Sequence, residues 1–279
     1  MTRASFLREW RLVVGLVVIG AIFVLAAFAP AIAPHDPMDQ SLLNQNLPPA
    51  WMEHGDRAFL LGTDSLGRDL LSRLVYGARP ALLVMLLGAT FSGLLGVSLG
   101  LLAGYFGGTP DRLISRVVEV FMSFPPMLLA IVLVAVIGPG LGAVIVAVVL
   151  IGWTRFCRLV RGEMLALKEA DFVTAGRAGG MSHVQILLRE ILPNLVPILT
   201  VLMGLEMGRA IVAEAVLSFI GFSSSGTATW GGMIADARSY LNQAWWSMTY
   251  PILAIVIAVL GLNALGDGLR AVTDPVMRR

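Results

Sequence analysis

Long stretches without an ionisable side chain constrain this chain more than any other feature of its sequence. Residues 12–34, 80–110, 120–154 and 247–266 contain no Asp, Glu, Lys or Arg. A helix that crosses a bilayer needs about 20 predominantly apolar residues, because the hydrocarbon core is about 30 Å thick and each residue rises about 1.5 Å. The composition agrees, since 57% of the residues are hydrophobic and only 14% are charged, against about one quarter in soluble domains. The chain is therefore predicted to be an all-α, polytopic membrane protein.

Six membrane spans are predicted from these stretches and one more. Residues 120–154 would form a helix of roughly 50 Å, which is too long for one crossing. Gly138-Pro139-Gly140 is therefore expected to break this stretch into two antiparallel spans. Residues 192–222 supply a further span and are mainly apolar, although they contain three charged side chains.

The sequence predicts two regions, with the boundary at residue 79. Residues 1–79 are predicted to hold the first span and a loop outside the membrane, and residues 80–279 a core with the other five spans. The first apolar run ends in Ala31-Ile32-Ala33, which is typical of a signal-peptide cleavage site, but the run is long and Pro34 follows it directly. We therefore expect it to be retained as a first span.

Lys and Arg side chains set the predicted orientation, because cytoplasmic loops carry an excess of them. An N-terminus inside the cell places the following basic residues in the cytoplasm: Arg112, Arg116, Arg155, Arg158, Arg161, Lys168, Arg177, Arg189, Arg270, Arg278 and Arg279. Both termini are then cytoplasmic. Arg68, Arg73 and Arg79 are exceptions in the first outside loop. We predict an amphipathic helix there that leads into the second span along the membrane interface.

A short helix is predicted between the fourth and fifth spans. Asp171 is a candidate cap for its first turn, and Gly179-Gly180 is a stop signal. Ser182 and Gln185, three residues apart, form a capping box that begins the next helix. From the residues alone, this helix of about two turns could be a simple surface connector.

The same segment resembles the EAA loop of ABC importer membrane subunits, in which a short coupling helix docks into a groove on the ATPase. The match lies in the spacing of Ala175, Gly176, Gly180 and the Leu192-Pro193 pair. The chain departs from the general pattern with Thr174 in place of the usual first Glu and Glu190 in place of an apolar residue. It is more similar to the dipeptide, oligopeptide and nickel permease branch, through the run Ala-Gly-Arg-Ala-Gly-Gly-Met-Ser at residues 175–182.

Three further segments resemble the C-type subunit of that branch. They are the Gly-Thr-Asp and Gly-Arg-Asp signature in residues 61–73, the run at residues 214–221 and the ending at residues 263–275. In the first, the physical reading is that Asp64 or Ser65 caps a helix and that Arg68 and Asp69 are solvated, while contact with a substrate-delivering partner stays open.

The resemblance implies a type I ABC importer permease fold with six transmembrane helices in the bacterial plasma membrane. It implies a second, B-type permease subunit, two ATP-binding subunits and an extracytoplasmic solute-binding protein as partners. The loop at about residues 163–191, here called the coupling loop, would contact an ATPase through these residues: Asp171, Thr174, Ala175, Gly176, Arg177, Gly180 and Ser182. The chain itself would need no cofactor, because ATP is bound by partner subunits.

Charged side chains inside the fifth span form a second candidate site. Glu206 and Arg209 are three residues apart, so they share a helix face and are expected to pair. Glu214 has no predicted partner. An unpaired charge is costly in hydrocarbon, so these residues are expected either to contact a neighbouring helix or subunit or to line a water-filled pathway.

Catalytic and metal-binding patterns are missing from the sequence. The three histidines are scattered, and there is no H-E-x-x-H, G-x-S-x-G or Walker motif. The single cysteine, Cys157, is expected to be a buried apolar residue. With a net charge of only +2, nothing suggests a nucleic-acid partner. The chain is not predicted to be an enzyme.

Short peptides are the predicted solute, chiefly because of the resemblance. The alternative within the branch is nickel or another metal chelate, although the spans lack the His and Cys clusters that would suit a naked metal ion. The rival class is a self-sufficient secondary transporter. That class favours an internal repeat with broken helices, and the sequence gives no sign of one.

Overall fold

The computed structural model describes residues Arg3–Phe222 and Gly226–Thr273, and these residues are helical with connecting loops and no strand. Arg278, Arg279 and the last residues of the C-terminal motif lie outside the described residues. In chain order the helices are α1 (Arg3–Ala27), α2 (Ala29–Ile32), α3 (Leu70–Leu83), α4 (Ala89–Phe106), α5 (Gly108–Ser123), α6 (Pro126–Ile137), α7 (Leu141–Leu167), α8 (Asp171–Ala178), α9 (His183–Gln185), α10 (Leu192–Ile220), α11 (Trp230–Ala237) and α12 (Trp245–Thr273). The all-α class is confirmed.

Five helical segments of the described chain are long and apolar enough to cross a membrane. They are Trp10–Ala27, Leu70–Phe106, Leu141–Leu167, His183–Phe219 and Trp245–Arg270. A π-helical segment joins α3 to α4 (Val84–Gly88), and another joins α9 to α10 (Ile186–Ile191). The predicted division at residue 79 therefore falls inside one continuous helical segment.

A sixth span arises only if α5 and α6 cross together as one broken span, because the two are bent by 93°. The predicted break before α7 is present, with Gly138 and Gly140 at φ values of 107° and 143°. However, α6 has only 12 residues and covers about 18 Å, which is less than the bilayer core. It is shorter than predicted because the Pro125-Pro126 pair ends the preceding helix and starts a new one.

Glycines on α4 explain how the bundle packs. The most extensive helix contacts are between α4 and α7, α1 and α12, and α10 and α12. Gly93, Gly96, Gly100 and Gly104 fall on the buried face of α4, and a Cβ on Gly100 would lie only 2.7 Å from the Cys157 carbonyl oxygen of α7. Small residues four apart let two helix backbones approach closely in a membrane. Cys157 is buried in this contact, as predicted.

The loop before α3 folds onto the opposite end of the bundle from the coupling loop. The Trp246 indole and the Ser247 hydroxyl each donate a hydrogen bond to the Thr63 carbonyl at 3.3 Å. Trp230 of α11 donates to the Leu74 carbonyl of α3 at 3.0 Å. These bonds connect the loop and α3 to α11 and to the start of α12.

The predicted solvation of Arg68 and Asp69 is wrong, because only 6% and 2% of their surfaces are exposed. Arg68 donates to Asp64 and to Asp236 of α11, each at 2.7 Å. Arg73 pairs with the same two carboxylates. Opposite charges and hydrogen bonds offset the cost of burying these groups.

The cap of α3 also differs from the prediction. Asp69 caps the helix by accepting a hydrogen bond from the Ser72 backbone N–H at 2.8 Å, whereas Asp64 and Ser65 do not. The Asp64 carboxylate is bound instead by the two arginines. As predicted, α3 leads into the second span, since it continues into α4. It also packs against α1, and Arg79 donates to a backbone carbonyl of α1 at 2.7 Å.

Candidate functional site

The coupling loop contains the predicted two-turn helix, α8, which spans Asp171–Ala178. The predicted cap is wrong: Ala170 occupies the N-cap position in an extended conformation, and no side chain caps the helix. Asp171 is the first helical residue instead, where its negative charge interacts favourably with the helix dipole.

The end of α8 follows the predicted pattern. Gly179 is its C-cap, with the N–H donating to the Ala175 carbonyl at 2.9 Å. Gly180 has a φ of 78°, in the left-handed region that favours glycine. The capping box is confirmed, since the Ser182 N–H donates to Gln185 Oε1 at 2.8 Å and the Gln185 N–H donates to Ser182 Oγ at 3.3 Å.

Only one side chain of α8 is buried, and the rest of the helix is open to an outside contact. Val173 is fully buried and packs in a cluster with residues of α4, α7 and α10. Gly176 is half-buried. The other predicted coupling residues are exposed: Asp171, Thr174, Ala175, Arg177, Gly180 and Ser182. Apart from Phe172, which is also exposed, the helix therefore presents small and polar groups, which let another protein's backbone come close.

A hydrogen bond that the sequence analysis missed joins the coupling loop to α4. Tyr105, near the end of α4, has its hydroxyl 2.8 Å from His183 Nδ1. The Arg177 guanidinium lies 5.8 Å from the centre of the Tyr105 ring. Tyr105 is thus in contact with both sides of the glycine turn. No sequence signal could have found this contact, because Tyr105 and His183 are 78 residues apart.

The second site lies within the spans, around Glu206. Its predicted pairing with Arg209 is confirmed, with Arg209 Nη1 3.2 Å from Glu206 Oε2. A second arginine, which the sequence analysis did not assign to this site, is closer: Arg155 Nη1 donates to Glu206 Oε1 at 2.6 Å. The Glu206 side chain is 3% exposed. We call Arg155, Glu206 and Arg209 the charged cluster.

Arg155 lies inside a helix and not in a loop, which corrects the predicted end of the fourth span at Thr154. Helix α7 continues to Leu167, so Arg155, Arg158 and Arg161 are all helical residues. Ion pairs explain how the helix accommodates two of these charges. Arg155 pairs with Glu206, and Arg161 pairs with both oxygens of Asp111.

The charged cluster forms part of the wall of a cavity of about 440 Å³ between α6, α7, α10 and α12. Arg155, Glu206, Arg209 and Asn263 are the polar residues of the wall. The other lining residues are apolar or glycine: Pro126, Met127, Ala130, Val148, Ile151, Leu205, Gly208, Ala210, Val212, Ala213 and Val259. We call this cavity the groove. It is an apolar recess with one concentrated polar site.

Glu214 is separate from the groove. Its buried carboxylate accepts a hydrogen bond from Ser218 at 2.7 Å and borders a small cavity with Thr227 and Thr229. The three charged residues of α10 therefore form two sites rather than one. Among the described residues, no group of three or more His, Cys, Asp or Glu side chains is placed to hold a metal ion.

Comparison with known proteins matches this architecture to one family. Residues 96–279 match the family model described as "Binding-protein-dependent transport system inner membrane component", and residues 1–49 match "N-terminal TM domain of oligopeptide transport permease C". The structure of the MetNI methionine ABC transporter in an inward-facing conformation aligns with a TM-score of 0.62. That alignment covers 74% of this chain and 98% of the other, and at 21% identity it shows the fold alone.

Curated relatives extend the match over nearly the whole chain. The di/tripeptide transport system permease protein DppC of Pseudomonas aeruginosa is 40% identical over 95% of this chain and 88% of its own length. The dipeptide transport system permease protein DppC of Escherichia coli is 42% identical over 98% of this chain and 92% of its own length. The chain therefore belongs to the family of inner membrane components of binding-protein-dependent transport systems, as a multi-pass permease subunit of an ABC importer.

Proposed function

We propose that this chain forms the C-type half of the translocation pathway of an importer for di- and oligopeptides. One observation carries the proposal: an exposed two-turn helix lies at one end of a bundle whose spans also contain an open, largely apolar groove. The names of the relatives point to dipeptides and tripeptides. An apolar groove with few polar groups suits a solute whose side chains vary.

The coupling loop is the proposed contact with an ATP-binding subunit. The exposed residues of α8 would form the contact, while Val173 of α8 and the bond between Tyr105 and His183 connect the coupling loop to the spans. A movement of the ATP-binding subunits would then reach α4, α7 and α10 as a rigid-body displacement. ATP is proposed to be bound and hydrolysed by these partners, not by this chain.

The proposed assembly contains four kinds of subunit. This chain pairs with a B-type permease, two ATP-binding subunits contact the coupling loops, and a solute-binding protein delivers peptide from outside. In this arrangement the coupling loop and both termini are cytoplasmic. The ion pairs of Arg68 and Arg73 with Asp236, at the other end of the bundle, then lie on the extracytoplasmic side of the membrane.

Transport by the purified assembly tests the proposal. In proteoliposomes, peptide-loaded binding protein is expected to stimulate ATP hydrolysis and to support uptake of labelled dipeptide. Stimulation by a nickel chelate, with none by any di- to oligopeptide, would contradict the choice of solute. Uptake without the ATP-binding subunits would instead indicate a self-sufficient secondary transporter.

A substitution on α8 tests the coupling role. Ala175→Arg places a bulky charge on the exposed face of α8 and is expected to abolish peptide-stimulated ATP hydrolysis while the chain still inserts into the membrane. Thr109→Glu is the matched control, since Thr109 is exposed at the start of α5 near the same end of the bundle, where a negative charge is favourable. Normal coupling in the Ala175→Arg assembly would refute the docking role of α8.

A further inference from the structure

The charged cluster carries an excess positive charge. Both carboxylate oxygens of Glu206 are occupied, one by Arg155 at 2.6 Å and the other by Arg209 at 3.2 Å. Two guanidinium groups therefore share one carboxylate, and the cluster has a formal charge of +1. Asn263, the remaining polar residue of the groove wall, is neutral.

This excess charge lies on two candidate membrane-spanning helices, well away from the ends of either helix. Arg155 lies near the middle of the 27-residue α7, about 20 Å along the helix from either end, and Glu206 lies near the middle of the 29-residue α10. A cation without a counter-ion within a membrane span is stable only where water or an anion reaches it. The Arg209 side chain is 49% exposed and borders the groove, so the groove gives an anion direct access to it.

The size of the groove agrees with a small organic anion. Its volume of about 440 Å³ lies within the range of roughly 300–1,000 Å³ that is typical of small-molecule sites. Such sites are mainly apolar and have a few polar groups that orient the ligand. Here the charged groups are concentrated at the charged cluster, while α6 and Val259 of α12 supply apolar wall.

We propose that the charged cluster binds the carboxylate of the solute during its passage, an inference that rests on the proposed function. Arg209 supplies the accessible guanidinium, since its flat array of donors matches the two oxygens of a carboxylate. Arg155, which is less exposed than Arg209, adds a second positive charge, and Glu206 holds both arginines in place. For a peptide solute the ligand is the C-terminal carboxylate, and the apolar wall contacts the side chains.

Glu206 also limits how tightly the anion is held. With Glu206 ionised, the cluster presents one unit of excess charge rather than two, so a solute carboxylate neutralises it and can leave again. A pathway site must bind strongly enough to admit the solute and weakly enough to release it.

A pair of matched solutes tests the assignment. Uptake of one dipeptide is compared with that of its C-terminal carboxamide in proteoliposomes containing the complete assembly, always with the same saturating binding protein. Because the binding protein is constant, any change in the ratio of the two uptake rates comes from the permease. Arg209→Gln is expected to lower the carboxylate-to-carboxamide ratio about tenfold, the value of one charge-assisted hydrogen bond. Arg209→Lys keeps the charge and is expected to retain most of the ratio.

A second variant and a control complete the test. Asn263→Asp adds a negative charge to the groove wall without removing an arginine, and it is expected to lower the ratio in the same direction. Arg116→Gln, on the exposed surface of α5, removes a cation elsewhere and should leave the ratio unchanged. Asn263→Asp keeps the assignment testable if Arg209→Gln does not assemble.

The outcomes distinguish a failure of the carboxylate site from a failure of the proposed transport function. An unchanged ratio in Arg209→Gln or in Asn263→Asp overturns the carboxylate site. Loss of the co-purifying B-type subunit from Arg209→Gln together with an unchanged ratio in Asn263→Asp does the same, and it assigns the excess charge to a partner carboxylate. If the wild-type assembly takes up neither dipeptide nor carboxamide, the proposed function fails instead.

Discussion

The two ion pairs of Glu206 differ in length and in solvent exposure, and this difference leads to a quantitative prediction of their strengths. Arg155 is 2.6 Å from Glu206 and its side chain is 27% exposed, whereas Arg209 is 3.2 Å away and 49% exposed. Solvent screens the more exposed pair, and exposed pairs contribute about 0.2–1 kcal/mol. Removing one partner of a buried pair costs about 3–5 kcal/mol, because the other charge is left uncompensated. The Arg155 pair is only partly buried, so its value should fall between these ranges.

We therefore expect a coupling energy of about 2 kcal/mol for Arg155 with Glu206 and of about 0.5 kcal/mol for Arg209 with Glu206. Two double-mutant cycles measure these values, one with Arg155→Gln and Glu206→Gln and the other with Arg209→Gln and Glu206→Gln. Each cycle uses the free energy of unfolding of the purified chain in mixed detergent micelles. The single Glu206→Gln variant should be the least stable, since it leaves two cations without a counter-ion.

The order of the two coupling energies is the decisive result. A larger coupling for Arg209 than for Arg155 would show that solvent exposure does not control the pair strength, and the reasoning would be wrong. Arg116→Gln with Glu119→Gln provides the reference cycle, because that pair is 3.0 Å apart with side chains 82% and 62% exposed. Its coupling should be the smallest of the three.

Three further outcomes are expected. Tyr105→Phe removes the hydrogen bond to the coupling-loop histidine and should lower the number of peptides transported per ATP without changing the amount of protein in the membrane. Gly100→Ala should cost about 1–3 kcal/mol in unfolding free energy because its Cβ meets the α7 backbone, whereas Gly162→Ala, with open space around it, should be neutral or slightly stabilising. A cysteine at Gln45 should react with an impermeant thiol reagent in intact cells and one at Ser182 should not; the reverse labelling pattern would refute the proposed orientation.

Features that depend on neighbouring residues were predictable from the sequence. The capping box of Ser182 and Gln185 and the pair of Glu206 and Arg209 each join residues three apart. Helix geometry alone places such residues together. The membrane spans are predictable for a similar reason, because the bilayer sets the length and composition of every helix that crosses it.

Local sequence patterns also determine where some helices begin and end, and two of these boundaries differ from the prediction. The Pro125-Pro126 pair makes α6 short, and this signal is present in the sequence. Asp171 was a reasonable cap by residue type, but the choice between it and Ala170 depends on which residue leaves the helical conformation. The end of a helix is commonly uncertain by one or two residues, so residue type alone does not identify the N-cap.

The sequence by itself thus determined the helical class, the segments able to cross a membrane and the turn chemistry of the coupling loop. Only the tertiary structure decided which distant polar groups meet: Arg155 with Glu206 across 51 residues, Arg68 with Asp236 across 168, and Tyr105 with His183 across 78. The physical reason is that hydrophobic burial is non-directional and selects which faces are inside, but not which of several buried charges become partners. Those partners are chosen by the close approach of whole helices, and that approach depends on packing along their entire lengths.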